Sequence, residues 1–276
     1  MTTHYEAAAG QAARKEKLAK ILEQQGTGLM LGGIMATDMR IAKGAYRGGC
    51  RIFEPNHPAM ALQMGLRGAT TMNEAESIRH LVPLERMTTA VEGLRATLGD
   101  DIFITCAARG AFTEEQVVPF TQEDALRIAC AGADCLHTHK SNIEDVRQIA
   151  EYAHNAGLLC EAYISAYDTF GVQAPTDESL LQAIRDYEDA GVDLLGLCTG
   201  MIYQGQSATG FSDECMHRFE LFLNNTHVVK VLEGGIKPGN IGAVKKIGFD
   251  ILVMSTALDN ILQDTTADTV ENLLAL

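Results

Sequence analysis

Val229-Lys-Val-Leu-Glu-Gly-Gly-Ile-Lys-Pro-Gly-Asn-Ile-Gly-Ala-Val-Lys-Lys-Ile-Gly-Phe-Asp-Ile-Leu-Val-Met-Ser-Thr-Ala-Leu258 is the stretch on which the fold turns. It runs strand, glycine turn, short helix, second strand, then small hydroxyl residues, the order of two consecutive units of a parallel sheet. Gly234 and Gly235 lack a Cβ, so their backbone N–H groups can approach an anion closely. Ser255 and Thr256 set hydroxyls at the start of a following helix. With Lys237 supplying charge, the pattern suits a phosphate held between two strand ends.

Working outward, the helix-Gly-x-Asp-strand phrase inside that stretch recurs. Gly248-Phe-Asp-Ile-Leu is matched by Gly132-Ala-Asp-Cys-Leu and Gly191-Val-Asp-Leu-Leu, with looser copies at Gly49, Gly99 and Gly157. A glycine closes each helix in the left-handed conformation and a buried parallel strand follows at once. Strands are expected at 28–33, 51–55, 102–107, 134–139, 158–165, 194–199, 228–233 and 251–255. Eight parallel strands close a (β/α)8 TIM barrel. Helical stripes lie between them, as in Ile143, Val146, Ile149 and Ala153, or Leu180, Leu181, Ile184 and Tyr187. An extra polar helix at about 7–25, within an N-terminal extension 1–26, is expected to cap the barrel bottom or form an oligomer contact. Nothing resembles a linker, so residues 1–276 are expected to form one domain.

Composition narrows the partners. Apolar residues make up 46% of the 276, with no Trp, which suits an aliphatic core under many helices. A formal charge of −14 argues against nucleic acid or an anionic membrane surface as partner, because phosphate backbones need clustered Lys and Arg. Seven cysteines without metal-finger spacing read as free thiols, and no secretory or membrane-spanning segment is visible, so a cytoplasmic protein is expected. The segment after the second strand is long, with a short helix at 58–68 and an outer helix pair in 72–98. The polar, glycine-bearing run 203–210 suits a lid.

Reacting groups in such a barrel come from the C-terminal strand ends and the loops after them. Those ends supply Asp38, Glu54, Cys106, Arg109, His137, His139, Glu161, Tyr163, Thr199, Glu233 and Ser255. Glu54 ends an apolar strand, where an acid is costly to bury unless used or paired, here with Arg51, Arg109 or Lys140. Glu161 follows three apolar residues of a central strand and is the stronger candidate base. His137 and His139 share one face of strand four. With Glu161 they make one metal reading, a His-His-carboxylate set for a divalent ion; otherwise one is a proton shuttle or phosphate contact. Lys140 and Lys230 are the lysines near enough to strands to form a Schiff base, and period-2 counting turns Lys230 toward the helices.

From Gly191 onward the chain resembles the C-terminal part of deoxyribose-phosphate aldolase. The resemblance rests on Asp193-Leu-Leu-Gly-Leu-Cys-Thr-Gly200, on Lys230 followed by Gly-Gly-Ile and a basic residue, and on Ser255-Thr256-Ala257. It covers roughly the last third. It implies a phosphate site at Gly200, Gly234, Gly235, Lys237 and Ser255. The family's Schiff-base lysine on strand six falls at Gly196 here, and Glu233 adds one residue between Lys230 and the glycines. The aldolase mechanism therefore does not carry over.

These observations lead to an enzyme acting on a phosphorylated sugar or short keto acid by proton abstraction next to a carbonyl, of lyase or isomerase type. Glu161 is the expected base, His137 or His139 the acid, Glu54 a second acid, and Arg109 or Lys140 the oxyanion partner. No organic cofactor is expected; a divalent metal on His137, His139 and Glu161 is the alternative, and a silent phospho-metabolite-binding barrel another. A homo-oligomer is expected.

Overall fold

A computed structural model of the chain describes residues 4–71, 74–75, 78–108, 120–165, 174–199 and 208–276. Eight parallel strands close in sequence order, β1 through β8, with β8 pairing back onto β1. They are β1 Gly28–Leu31, β2 Ile52–Phe53, β3 Phe103–Ala107, β4 Cys135–Thr138, β5 Leu159–Ser165, β6 Leu194–Cys198, β7 Val229–Glu233 and β8 Ile251–Met254. Each lies within its expected span, shorter by one to three residues. Helix α1 (His4–Gln25) precedes β1. Around the barrel run α2 (Ile34–Thr37), α3 (Met39–Arg47), α4 (His57–Gln63), α5 (Leu84–Leu98), α6 (Gln122–Ala131), α7 (Ile143–Asn155), α8 (Asp177–Asp189), α9 (Asp213–Asn225), α10 (Ile241–Val244) and α11 (Thr256–Leu274). In the long segment after β2, α4 occupies the start of the short helix expected at 58–68 and a 3-10 turn at Leu66–Gly68 its end, while α5 lies within the span expected for the outer helices, 72–98, with a 3-10 turn at Arg79–Leu81 before it. The expected lid at 203–210 falls mostly outside the described residues. No described helix is long and apolar enough to cross a membrane.

The repeated Gly-x-Asp phrase has a physical meaning at both of its recurring positions. Gly132, Gly191 and Gly248 adopt φ of 105°, 92° and 110°, the left-handed conformation that ends a helix without Cβ strain. The aspartate then turns back to the preceding strand and accepts a backbone N–H. Asp134 takes that of Ile104 at 2.9 Å, Asp193 that of Cys160 at 3.0 Å and Asp250 that of Lys230 at 2.8 Å. A ring of carboxylates thus satisfies N–H groups where the strands begin.

Helix α1 closes this bottom end. Leu18 and Ile21 bury into the interior cluster with Met30, Ile52, Phe103 and Ile251, each such burial stabilising by roughly 1.5–3 kcal/mol. Its polar face is pinned in turn: Lys17 meets Asp134 at 2.7 Å, Lys15 meets Asp193 at 2.8 Å, and Arg14 donates to the Gly157 carbonyl at 3.0 Å. The apolar stripes read on α7 and α8 face the strands, with Val146, Ile149, Ala153, Leu180, Ile184 and Tyr187 buried.

Candidate active site at the barrel mouth

Strand alternation sends every second residue inward, and the register sets which of them meet. The lower interior is apolar, with Phe103, Leu159, Leu194 and Ile251 in one cluster. Above it the inward positions become polar: Thr105 on β3, His137 on β4 and His139 just past it, Glu161 and Tyr163 on β5, Cys198 on β6 and Glu233 on β7. His137 lies opposite Glu161, and Cys198 opposite Glu233. Glu54, one residue past β2, completes the ring and is held there by its N–H bond to the Leu31 carbonyl.

Glu54 and His137 form a buried pair. Nδ1 of His137 lies 2.9 Å from Oε1 of Glu54, and both side chains are almost wholly covered. Two of the expected partners of Glu54 are engaged elsewhere: Arg51 pairs with Asp101 at 3.3 Å, and Lys140 lies 3.8 Å from Asp145 of α7; the third, Arg109, lies outside the described residues. Burial pushes the His137 imidazole down. The charge of Glu54 and their hydrogen bond, aided by Glu161 and Glu233, more than reverse this and raise it to about 9. Asn56 donates to Glu54 at 3.4 Å while its own oxygen caps α4 through the Ala59 N–H, so the carboxyl is braced by a helix start.

Glu161 is fully buried and both of its oxygens are occupied. Thr105 donates to one at 2.6 Å and Tyr163 to the other at 2.5 Å. Burial raises its carboxyl, against the opposing pull of His137 and of these two hydroxyls. The metal set read from sequence, His137, His139 and Glu161, is thereby divided: His137 belongs to Glu54, Glu161 to the two hydroxyls, and His139 to another partner.

That partner is Glu233, whose Oε2 lies 3.3 Å from Nε2 of His139. The His139 ring stacks on Tyr163, with centroids 4.3 Å apart and planes within 10°. Burial, then the charges of His137 and Arg79, hold His139 well below its ordinary value, so it is neutral. Burial and then the charge of Glu54 push Glu233 up to about 8, and the Cys198 thiol hydrogen-bonds to it. Thr199 fixes the backbone here, its N–H and hydroxyl both donating to the Glu233 carbonyl, at 2.9 and 3.1 Å.

Tyr163 also explains Gly196, the position matching the aldolase lysine. A Cβ built there would stand 2.2 Å from the Tyr163 ring, so the space of a strand-six side chain is already filled. Cys106, fully buried, has its thiol pushed up to about 12 by burial and then by Glu54, and stays protonated.

Beside Glu233 begins the glycine turn. Gly234 and Gly235 take φ of 92° and 75°, and their N–H groups donate to no acceptor among the described residues. Asn240 braces the turn, donating to the Gly235 carbonyl at 2.8 Å and accepting the Lys237 N–H at 2.7 Å. The Lys237 side chain is exposed. Ser255 directly precedes α11, whose first residue is Thr256, so a helix N-terminus stands at the end of β8. Arg109 and Gly200 lie outside the described residues.

Sequence reading placed Glu54, His137, His139 and Glu161 among the candidates, and the fold gathers all four. It left Glu233 in the background and did not single out Cys198, Thr105 or Arg79. Arg79 sits buried in a 3-10 turn far from any strand, with no local signal of its proximity to His139.

No family model matches the chain, and no curated protein matches it. Solved structures do. A phosphonopyruvate hydrolase in complex with oxalate and Mg++ superposes with a TM-score of 0.63 at 11% identity, covering 95% of this chain and 87% of the other. A tryptophan synthase from Mycobacterium tuberculosis gives 0.62 at 14%, covering 90% and 91%. A 3-hexulose-6-phosphate synthase from Salmonella typhimurium gives 0.54 at 15%, covering 85% and 91%. At these identities the likeness establishes the (β/α)8 barrel, and chemistry has to be argued from the site.

Proposed function

We propose that this chain is an enzyme of lyase or isomerase type that moves a proton next to the carbonyl of a phosphorylated sugar or short keto acid. The observation that carries this reading is the Glu54–His137 pair, an imidazole kept protonated at neutral pH by a carboxylate 2.9 Å away inside a closed barrel. An imidazolium in such a site delivers a proton to an enolate, and its neutral form takes one back in reverse. Glu161, with both oxygens already engaged by Thr105 and Tyr163, acts by helping to raise His137 rather than as the base. Arg79 joins Arg109 as a candidate oxyanion partner, since its charge reaches His139, and takes precedence over Lys140, which is paired with Asp145.

The phosphate is assigned to the Gly234 and Gly235 amides, Lys237, Ser255 and the start of α11 at Thr256, with Gly200 added by the aldolase resemblance. Two consecutive left-handed glycines whose N–H groups donate to no acceptor among the described residues, with a helix N-terminus at the end of the neighbouring strand β8, support this. Phosphonopyruvate and 3-hexulose-6-phosphate, named in two of the structural neighbours, are short carbonyl compounds carrying phosphorus.

The test is solvent deuterium incorporation, followed by NMR, into a panel of phosphorylated sugars and keto acids. One compound should exchange, and Glu54→Gln should slow that exchange by roughly 100-fold or more, the scale of a lost acid–base group. Exchange in no compound, or exchange indifferent to Glu54→Gln, overturns the reading.

A further inference from the structure

The upper interior carries three glutamates, Glu54, Glu161 and Glu233, while no inward position of the eight strands is a lysine or arginine. One of these carboxylates is matched by His137 and one by two hydroxyls. Glu233 instead stands with an imidazole and a thiol. A ring nitrogen of His139, Sγ of Cys198 and a carboxylate oxygen of Glu233 all lie within 4.8 Å of one another, on three different strand ends at the mouth. The His139–Glu233 separation of 3.3 Å is already that of two ligands sharing one ion, because bonds of about 2.0–2.3 Å to a tetrahedral centre put neighbouring donors roughly 3.3–3.7 Å apart. The far side of His139 is fixed by its stack on Tyr163, and the Glu233 backbone by Thr199, so two of the three donors are held in place.

The geometry points to a binding site for a divalent transition ion of the zinc class, made by His139, Cys198 and Glu233, with its fourth position open toward the barrel mouth. This deepens the proposed function and rests on it for its role: an ion there, when bound, polarises a carbonyl oxygen. The donor set chooses the ion. A thiolate and an imidazole favour zinc, cobalt or iron, whereas magnesium takes oxygen donors in octahedral geometry. Three protein ligands and an open position is the arrangement of catalytic rather than structural zinc.

Cobalt reports on the site independently of turnover. Chelator-treated full-length protein, titrated with Co2+, should bind one equivalent with the intense visible bands of four-coordinate cobalt and a thiolate-to-cobalt charge-transfer band in the near ultraviolet. Cys198→Ser should abolish the charge-transfer band and weaken binding at least tenfold. Glu233→Gln should weaken it at least tenfold with the band retained, and Cys130→Ser, at an exposed thiol, should change nothing. Zn2+ should displace the cobalt at stoichiometric amounts and Mg2+ should not at a hundredfold excess. Circular dichroism and a thermal melt of each variant establish that it is folded. No saturable cobalt site, a charge-transfer band that survives Cys198→Ser, or displacement by Mg2+ overturns the assignment. A cobalt site of the expected kind without proton exchange on any substrate sinks the proposed function and leaves the metal site standing.

Discussion

The two ends of this barrel each carry a ring of buried and half-buried acids, and the rings are built on opposite principles. At the bottom, Asp134, Asp193 and Asp250 each accept a backbone N–H, and the first two also meet basic side chains, Lys17 and Arg95 for Asp134, Lys15 and the His154 ring for Asp193. Burial alone would raise Asp193; His154, Lys15 and the Cys160 N–H pull it below its ordinary value. At the mouth, Glu161 and Glu233 are both raised, Glu233 to about 8, because burial and neighbouring carboxylates outweigh what stabilises them. The charged form of Asp193 is thus favoured by folding, and those of Glu161 and Glu233 are disfavoured. A cluster that works against stability at a barrel's C-terminal end is the expected mark of a functional site.

The largest expected effect lies at the bottom. Asp134→Ala strips the Ile104 N–H of its acceptor and leaves Lys17 and Arg95 without their shared carboxylate, at 2.7 and 2.8 Å. Removing one partner of a buried pair costs about 3–5 kcal/mol, and the partial exposure of Lys17 places this case near the lower figure. Urea unfolding should show a loss of about 3 kcal/mol while cobalt binding at the mouth is unchanged. A loss under 1 kcal/mol would mean that the bottom ring is ornamental and would remove the contrast.

The bottom ring was legible in the sequence, as a phrase, because its chemistry is local: the glycine that ends a helix and the aspartate that opens the next strand are two residues apart. The strands were legible for the same reason, as apolar runs that start at that phrase. The mouth was legible only in part. His137 and His139 declare a shared face through their spacing. That Glu161 spends its oxygens on Thr105, 56 residues away, and that Glu233 meets His139 rather than any lysine, are facts of register between strands. Gly196 gave a negative clue, the absence of a lysine. The reason, a tyrosine ring lying across it, comes from β5.

Gly196 supplies the second test, on the upper half. Gly196→Ala forces Tyr163 to turn, and with it go the 2.5 Å bond to Glu161 and the stack on His139. Overpacking of this kind costs about 1–3 kcal/mol, less than the bottom change, yet it should disturb cobalt binding, which the bottom change should not. Combining it with Tyr163→Leu should recover most of the stability, since the clash is with the ring alone; additive losses in that double-mutant cycle would place the strain elsewhere.

The smallest effect is a drift with pH that the mouth should dominate up to about pH 8, before the buried thiols of Cys50 and Cys215, pushed up to about 12, add to it. In the metal-free protein, His137 keeps its proton to about 9 while an unfolded histidine loses it near 6.5, and Glu233 keeps its proton to about 8 while an unfolded glutamate loses it near 4.5. Above pH 6.5 the folded state therefore holds more protons than the unfolded one, so stability must fall as pH rises toward 9. His139, lowered when folded, opposes this only below pH 6.5, where the unfolded chain takes up its proton. Glu54→Gln removes the charge that raises both His137 and Glu233, so the slope between pH 6.5 and 9 should flatten in that variant, whereas Asp134→Ala should lower the whole curve and leave its slope alone. Chemical unfolding at half-unit intervals of pH reads both. A slope that survives Glu54→Gln unchanged would mean that the two rings do not differ in the way their geometry implies.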